Sequence, residues 1–165
     1  EITRFNLSGI SLEYSLVNLS LMLEQLSYEF KPMLAQKNLN CVLNIQPDIM
    51  IKCDPDKLQR VFDNLLRNAV NYSYENQDII ITASRTESPN NRIKIVFENK
   101  GIDIPKEKLD RIFEQFYRLD TSRATKTGGA GLGLAIAKEI VELHKGSISA
   151  SCTDGVIHFE VLLPA

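Results

Sequence analysis

The sequence predicts an α+β fold, a two-layer sandwich in which helices cover one face of one mixed, mainly antiparallel sheet. Two hairpin patterns are the first observation: an alternating run at 92–98 follows the strand-like run 79–84, and 156–163 follows 147–151. The second observation is three segments with apolar residues at helical spacing, at 15–37, 55–72 and 134–146. Hairpins and helices in one chain bury their apolar faces against each other, which predicts the two layers.

The first helical segment runs from Ser15 to about Lys37, with apolar residues three or four positions apart. Pro32 has no backbone N–H, so we expect it to kink or interrupt this helix. Two short strands are predicted next, at 41–45 and 49–52, because a Pro-Asp turn separates two short apolar runs.

A second helix begins at the Asp-Pro-Asp sequence of 54–56, which combines an acidic cap with proline at the first helical position. The helix runs to about Tyr72, and its apolar face is predicted to join the core. Another face carries Asn64, Asn68 and Asn71, although asparagine is a mediocre helix residue. This stripe is either a solvated polar face or a binding surface.

The first hairpin ends in a loop at 99–105, and a short helix is expected from Lys106 to about Arg111, leading into 112–118. The last hairpin turns at 153–155, where Thr-Asp-Gly is typical of a turn.

Four glycines occur in the six residues from Gly128 to Gly133, and they run directly into the last helix. Without Cβ atoms, backbone N–H groups can close around an anion. The helix N-terminus adds unpaired N–H groups and the positive end of the helix dipole. This pattern predicts a phosphate-binding site, and the alternative is a flexible linker before a helix.

Two common phosphate-binding motifs do not fit this stretch. A Walker loop needs Lys and then Ser or Thr after its second conserved glycine, whereas Leu134 and Ala135 follow here. A Rossmann loop follows a buried strand directly, whereas 121–127 is polar and unlike a strand. The glycines instead close a long basic loop, which suggests a lid over a nucleotide with the glycines as its hinge.

Length and composition limit the possible classes. A chain of 165 residues fits one domain, and its formal net charge of −2 does not indicate binding to nucleic acid or a membrane surface. No apolar run approaches the ~18 residues of a membrane span, and no signal peptide is visible. Cys41, Cys53 and Cys152 have no metal-site spacing, so we expect small buried hydrophobic residues in a reducing compartment.

The order of these elements resembles the ATP-binding domain of sensor histidine kinases, whose fold is shared with gyrase, Hsp90 and MutL. The resemblance rests on the asparagine-bearing helix, the glycine loop after a strand, Phe-Tyr-Arg at 116–118 and Gly-Gly-x-Gly-Leu-Gly-Leu. It extends from about Leu16 to Pro164. The amino-acid sequences of the segments 54–58, 116–120 and 128–140 look most like those of vancomycin-resistance sensor kinases, which implies a role in antibiotic resistance.

The resemblance implies roles for the matching residues. Asn68 would hold Mg²⁺ through its side-chain oxygen, in agreement with the preference of Mg²⁺ for a few protein oxygens plus phosphates and water. Asn64 would lie beside the phosphates and Tyr72 would pack along the adenine. Arg118 would reach the phosphates from the lid base, so Asn64 and Arg118 are the catalytic candidates. The other implied nucleotide-binding residues are Asn99, Gly101, Ile104, Gly129, Gly131, Leu132 and Gly133.

The sequence departs from the family pattern at three places. Asn71 stands where Lys or Arg usually precedes the tyrosine, so one phosphate-binding charge is missing. Asn99 replaces the Asp that accepts the adenine amino hydrogen, and an amide oxygen can accept it only without charge assistance. Asp103 replaces the second glycine of the same loop, and a later Gly-Thr element is replaced around Gly155. We expect nucleotide binding to survive in weakened form.

The two histidines do not match the family's phosphorylated histidine. His144 ends the last helix, where the family often has a histidine that caps and packs, and His158 lies in the last strand. Neither stands in a His-Glu-x-x-[Thr/Asn]-Pro context. Residues 1–8 are therefore expected to be the end of an upstream dimerisation hairpin or a linker, and 9–165 the catalytic ATP-binding domain.

The resemblance implies a two-component sensor histidine kinase that positions Mg·ATP for transfer to a histidine of the upstream domain. The implied partners are that domain and a cognate response regulator, with no nucleic acid. The full-length protein would be a membrane-anchored homodimer with this domain in the cytoplasm. The alternatives are an ATPase of the same fold and a nucleotide-dependent partner-binding module, either anti-sigma-like or a degenerate kinase domain.

Overall fold

A computed structural model describes residues 11–87, 91–115, 117 and 133–165, so the predicted boundary after residue 8 lies outside the described residues. The described elements confirm an α+β fold. They are β1 (Ser15–Asn18), α1 (Leu19–Glu29), α2 (Lys31–Gln36), β2 (Asn40–Ile45), β3 (Met50–Cys53), α3 (Pro55–Tyr72), β4 (Asp78–Arg85), β5 (Arg92–Lys100), α4 (Lys106–Leu109), α5 (Gly133–Leu143), β6 (Ser147–Thr153) and β7 (Val156–Pro164). None of the helices in this described part has the length and hydrophobicity that crossing a membrane requires.

The main sheet has the strand order β2-β4-β5-β7-β6. β2 pairs parallel with β4, whereas the β4–β5, β5–β7 and β6–β7 pairs are antiparallel. Both predicted hairpins are therefore confirmed, and so is the mixed, mainly antiparallel character of the sheet.

The core lies between this sheet and the helices. Alternate residues of β4, β5 and β7 are buried, as expected for strands with one covered face. Phe62 of α3 stacks on Phe97 of β5 with ring centroids 6.0 Å apart, and both side chains are buried. Burial of a phenylalanine side chain stabilises the fold by about 1.5–3 kcal/mol, so α3 is fixed with its apolar face toward the sheet.

The first predicted helix begins later than expected. Ser15–Asn18 is a strand that pairs antiparallel with β3 in a separate two-stranded sheet. The helix starts after Asn18, whose side chain accepts a hydrogen bond from the Leu21 N–H at 3.1 Å and so caps it. Leu16 fits the helical spacing in sequence, but its side chain is 63% exposed. The sequence therefore predicted one sheet where the described residues form two.

The interruption expected at Pro32 is confirmed. α1 ends at Glu29, and a second helix, α2, begins at Lys31 with Pro32 in its first turn. Proline fits there because the first N–H groups of a helix have no intrahelical partner.

The predicted start and end of α3 are also confirmed. Asp54 caps the helix by accepting hydrogen bonds from the N–H groups of Lys57 at 3.2 Å and of Glu13 at 2.9 Å. Burial raises the pKa of the Asp54 carboxyl, but these two hydrogen bonds and nearby positive charge outweigh burial and hold the pKa below its ordinary value. The cap thus joins α3 to the segment before β1.

The cysteines follow the prediction in part. Cys53 is buried, Cys41 and Cys152 are half-buried, and all three are free thiols. Burial and the adjacent Asp54 charge raise the pKa of the Cys53 thiol to about 11, which makes it a poor nucleophile.

Candidate functional site

One polar face of α3 carries three of the predicted site residues. Asn64, Asn68 and Tyr72 are four positions apart and half-exposed, so each lies about one turn beyond the last. At 1.5 Å of rise per residue, the stretch from Asn64 to Tyr72 is about 12 Å long. The packing of the opposite face against the sheet fixes the direction of this face.

Asn64 contacts the first residue of α5. Its Nδ2 donates a hydrogen bond to the Gly133 carbonyl oxygen at 3.1 Å. A Cβ atom added to Gly133 would lie 3.5 Å from Asn64 Oδ1, at ordinary van der Waals distance. The structure thus brings two predicted site residues together, at the helix end where the dipole is positive.

The other end of α5 is joined to the start of α3. The Asp54 N–H donates to His144 Nε2 at 3.1 Å, and His144 Nδ1 lies 2.9 Å from the Ile140 carbonyl oxygen. A ring with its proton on Nδ1 satisfies both contacts. His144 is buried and directly follows the last residue of α5, close to where the sequence indicated that the helix ends. The first residue of α5 thus contacts the middle of α3, and the residue after its last turn contacts the start of α3. The two helices therefore run antiparallel.

His158 has a structural setting as well. It faces Glu98 across the β5–β7 pair, and its Nε2 lies 3.0 Å from Glu98 Oε1. Both side chains lie on the side of the sheet away from α3, because their neighbours in sequence, Phe97 and Phe159, are the buried ones.

Gly101 makes a close backbone contact at the C-terminal end of α3. It forms an antiparallel bridge with Ser73, and the Tyr74 N–H donates to the Lys100 carbonyl oxygen at 2.9 Å. A Cβ atom on Gly101 would overlap the Tyr72 carbonyl oxygen. Glycine is therefore required for the loop after β5 to approach Tyr72.

Asn99 lies in the same corner with an unsatisfied amide. Its side chain is 2% exposed, on the covered side of β5, and its Nδ2 has no hydrogen-bond partner among the described residues. The Cβ position of Gly101 is 3.4 Å from this Nδ2, which places the amide near Tyr72. Buried amides are nearly always hydrogen-bonded, so a partner is expected here.

Asp103 explains one departure from the family pattern. Its Oδ1 accepts hydrogen bonds from the Gly155 N–H at 3.1 Å and from the Cys152 thiol at 3.2 Å. The Gly101 N–H also donates to the Gly155 carbonyl oxygen at 2.8 Å, and Gly155 has a φ of +79°. Asp103 thus ties the loop to the β6–β7 turn, which supports the structural role expected around Gly155.

Ile104, another predicted site residue, is buried in the hydrophobic core. Its N–H donates to Cys152 Sγ at 3.3 Å, so its backbone belongs to the same anchored loop. Arg118, Gly129, Gly131 and Leu132 lie outside the described residues.

Sequence reasoning missed Lys37, which holds the end of α3. Its ammonium group donates to the carbonyl oxygens of Val70 at 2.9 Å, Asn71 at 3.1 Å and Ser73 at 3.0 Å. The sequence contained only an indirect sign of such a partner, which was that the usual helix-ending residues are missing. The last turn of α3 has no basic residue, and no glycine follows it. The carbonyls at the end of α3 therefore needed a donor from elsewhere in the chain.

The described residues contain no cluster of three or more His, Cys, Asp or Glu side chains that could hold a metal ion. A metal at this site would therefore depend on amide oxygens and on ligands supplied by a bound phosphate, which suits Mg²⁺ better than a transition metal.

Comparison with known proteins gives the chain a family and close sequence relatives. The profile of the family described as histidine kinase-, DNA gyrase B-, and HSP90-like ATPase matches residues 53–165. The chain is 51% identical over 164 residues to the sensor protein VanSC of Enterococcus gallinarum, covering 99% of this chain and 44% of that protein. It is 48% identical over 165 residues to VanS of Enterococcus faecium, covering 100% and 42%. It thus spans less than half the length of these curated relatives.

Solved structures share the fold. The catalytic domain of the histidine kinase ThkA superposes with a TM-score of 0.81 at 24% identity, covering 93% of this chain and 96% of that chain. Full-length ShkA in complex with AMPPNP superposes with a TM-score of 0.79 at 24% identity, covering 94% of this chain and 32% of that chain. With the family profile spanning α3, the Gly101 loop and α5, the chain belongs to the family of histidine kinase-, DNA gyrase B- and HSP90-like ATPases.

Proposed function

We propose that this chain is the catalytic domain of a sensor histidine kinase, which holds Mg·ATP and presents its γ-phosphoryl group to a histidine on an upstream hairpin domain. One observation carries the proposal: along α3, Asn64 contacts the N-terminus of α5, Asn68 follows one turn later, and Tyr72 meets the Gly101 loop. A helix N-terminus attracts phosphates, so the triphosphate would lie at Gly133 and the base at Tyr72. The length of about 12 Å from Asn64 to Tyr72 suits a nucleotide laid along α3.

Mg²⁺ would bind through the Asn68 side-chain oxygen, with phosphate oxygens and water completing the shell. The ion would neutralise charge on the β- and γ-phosphates. Arg118 and the backbone of Gly129, Gly131, Leu132 and Gly133 are proposed to contact the phosphates.

Catalysis by these residues would consist of positioning and charge neutralisation. An amide such as Asn64 is a poor base near neutral pH, so it would not activate a water molecule. General-base help is typically worth about 10²–10⁴-fold, and its absence favours transfer to a presented histidine over hydrolysis.

The sequence similarity to VanSC and VanS supports a wider proposal. The full-length protein would be a membrane-anchored homodimer with this domain in the cytoplasm. Its partners would be its own phosphoacceptor domain and a response regulator of a vancomycin-resistance system.

Asn68→Ala is expected to abolish the contribution of Mg²⁺ to nucleotide binding, because it removes the protein's oxygen ligand. Calorimetric titration of an ATP analogue with and without Mg²⁺ measures this contribution. We expect wild type to bind at least about tenfold more tightly with Mg²⁺, a difference of about 1.4 kcal/mol. Asn44→Ala, on the exposed side of β2, is the matched control and should behave as wild type. A full Mg²⁺ effect in Asn68→Ala would contradict the assignment.

Kinase and ATPase functions predict different fates for labelled ATP. We expect the chain alone to acquire no acid-labile label, since His144 and His158 hold structural positions, and to release phosphate hardly above background. Added hairpin domain from the same full-length kinase should become labelled on histidine. Multiple turnovers of phosphate release per minute, lost in Asn68→Ala, would instead favour the ATPase alternative.

A further inference from the structure

The unsatisfied amide of Asn99 is the strongest indication of an absent ligand group. Of the buried side-chain nitrogen and oxygen atoms in the described residues, only Asn99 Nδ2 has no hydrogen-bond partner. A buried amide without a partner is unfavourable by an amount comparable to a lost hydrogen bond. The fold keeps Asn99 on the covered side of β5 between Phe97 and Gly101, so the amide cannot turn to solvent.

The position of Asn99 relative to α3 indicates which part of a nucleotide it meets. The amide is near Gly101 and Tyr72, about two helical turns from the contact between Asn64 and Gly133. With phosphates at the α5 N-terminus, the uncharged end of the nucleotide lies in this corner. The edge of the base is thus the group that would meet the amide.

A carboxamide differs from a carboxylate in the bases it can pair with. An ionised carboxylate only accepts hydrogen bonds, so it pairs with the 6-amino group of adenine and opposes the 6-oxo group of hypoxanthine or guanine. A carboxamide has an accepting oxygen and a donating NH₂ group. Rotation of the amide by half a turn exchanges the positions of the oxygen and the NH₂ group, so the same place in the site can hold an acceptor or a donor.

We propose that Asn99 reads position 6 of a bound purine and lets the site accept 6-oxopurine triphosphates as well as ATP. This inference rests on the proposed function. With adenine, the oxygen of Asn99 accepts from the 6-amino group and its Nδ2 donates to N1 of the ring. With a 6-oxopurine, Nδ2 donates to the 6-oxo group and the oxygen accepts from N1–H. Each of these purines pairs with both atoms of the buried amide, whereas a base without a 6-substituent pairs with only one of them.

Competitive binding to the wild-type chain with Mg²⁺ tests this inference without a variant. ATP and ITP should bind with dissociation constants within about threefold of each other, a difference of less than about 0.65 kcal/mol. Purine riboside triphosphate, which has only hydrogen at position 6, should bind about tenfold more weakly than both. ITP binding more than about thirtyfold weaker than ATP, or equal binding of all three, would overturn the inference.

Asn99→Asp then tests the residue itself. Its ratio of ITP to ATP dissociation constants should exceed the wild-type ratio by about tenfold or more, because the carboxylate opposes the 6-oxo group. Asn44→Asp, the same change on the exposed side of β2, should leave the ratio unchanged. If Asn99→Asp folds and its ratio of ITP to ATP dissociation constants equals that of wild type, the inference is overturned. If no triphosphate bound the wild-type chain at all, the proposed function itself would fail.

Discussion

Gly101→Ala is expected to lower the free energy of unfolding by about 3 kcal/mol. The added methyl group would overlap the Tyr72 carbonyl oxygen, which is backbone at the end of a packed helix and cannot rotate away. Forcing an extra carbon into a tightly packed place typically costs about 1–3 kcal/mol, and the bridge between Ser73 and Gly101 would be strained as well. Urea unfolding followed by circular dichroism measures the loss.

Gly133→Ala is the matched control for this substitution. Its Cβ atom would lie 3.5 Å from Asn64 Oδ1, an ordinary contact distance, and alanine is a better helix residue than glycine. We therefore expect the stability of Gly133→Ala to be equal to or above that of wild type. Equal stability of Gly101→Ala and wild type would show that the approach of Gly101 to Tyr72 is looser than the structure has it.

Lys37→Met is expected to lower the free energy of unfolding by about 2–3 kcal/mol. The substitution keeps the length of an apolar stem but removes a charged donor from the carbonyls of Val70, Asn71 and Ser73. Hydrogen bonds to charged groups contribute about 1.5–3 kcal/mol, and the loss leaves the end of α3 without this donor. Thermal and urea unfolding give the difference directly.

Two variants separate this cap from a general effect of charge. Lys52→Met removes a lysine from an exposed position of β3 and should change stability little. Lys37→Arg keeps the charge and should recover part of the loss. If Lys37→Met and Lys52→Met lose the same stability, the three carbonyls do not depend on Lys37.

The sequence predicted best the elements whose signals are local. The start of α3 follows from Asp54 and Pro55, which act on the first N–H groups of the helix. β1 was missed because Leu16 continues the spacing of the α1 leucines, although its side chain is 63% exposed. A strand of four residues is defined by its partner, β3, which lies more than thirty positions later.

The candidate site shows the same division. The family pattern placed Asn64, Tyr72 and Gly101 in one site, and the structure brings each against a neighbour from another element. The supports of the site were not visible in sequence. Lys37 reaches carbonyls 33 to 36 positions away, and Asp103 reaches an N–H 52 positions away. No periodicity relates such residues, because only the packed fold sets their distance.

The antiparallel packing of α3 and α5 also shapes the electric potential along the binding face. The partial positive charge of the α5 N-terminus lies beside Asn64, in the middle of α3. The partial negative charge of the α3 C-terminus lies two turns farther on, where the Lys37 ammonium compensates it. The α5 N-terminus therefore presents N–H groups without intrahelical partners at Gly133, whereas the carbonyl oxygens at the Tyr72 end are already occupied by Lys37. A ligand with an anionic tail and an uncharged head is therefore favoured with its tail at Gly133 and its head at Tyr72. This preference comes from the backbone and does not depend on specific side-chain contacts with the ligand.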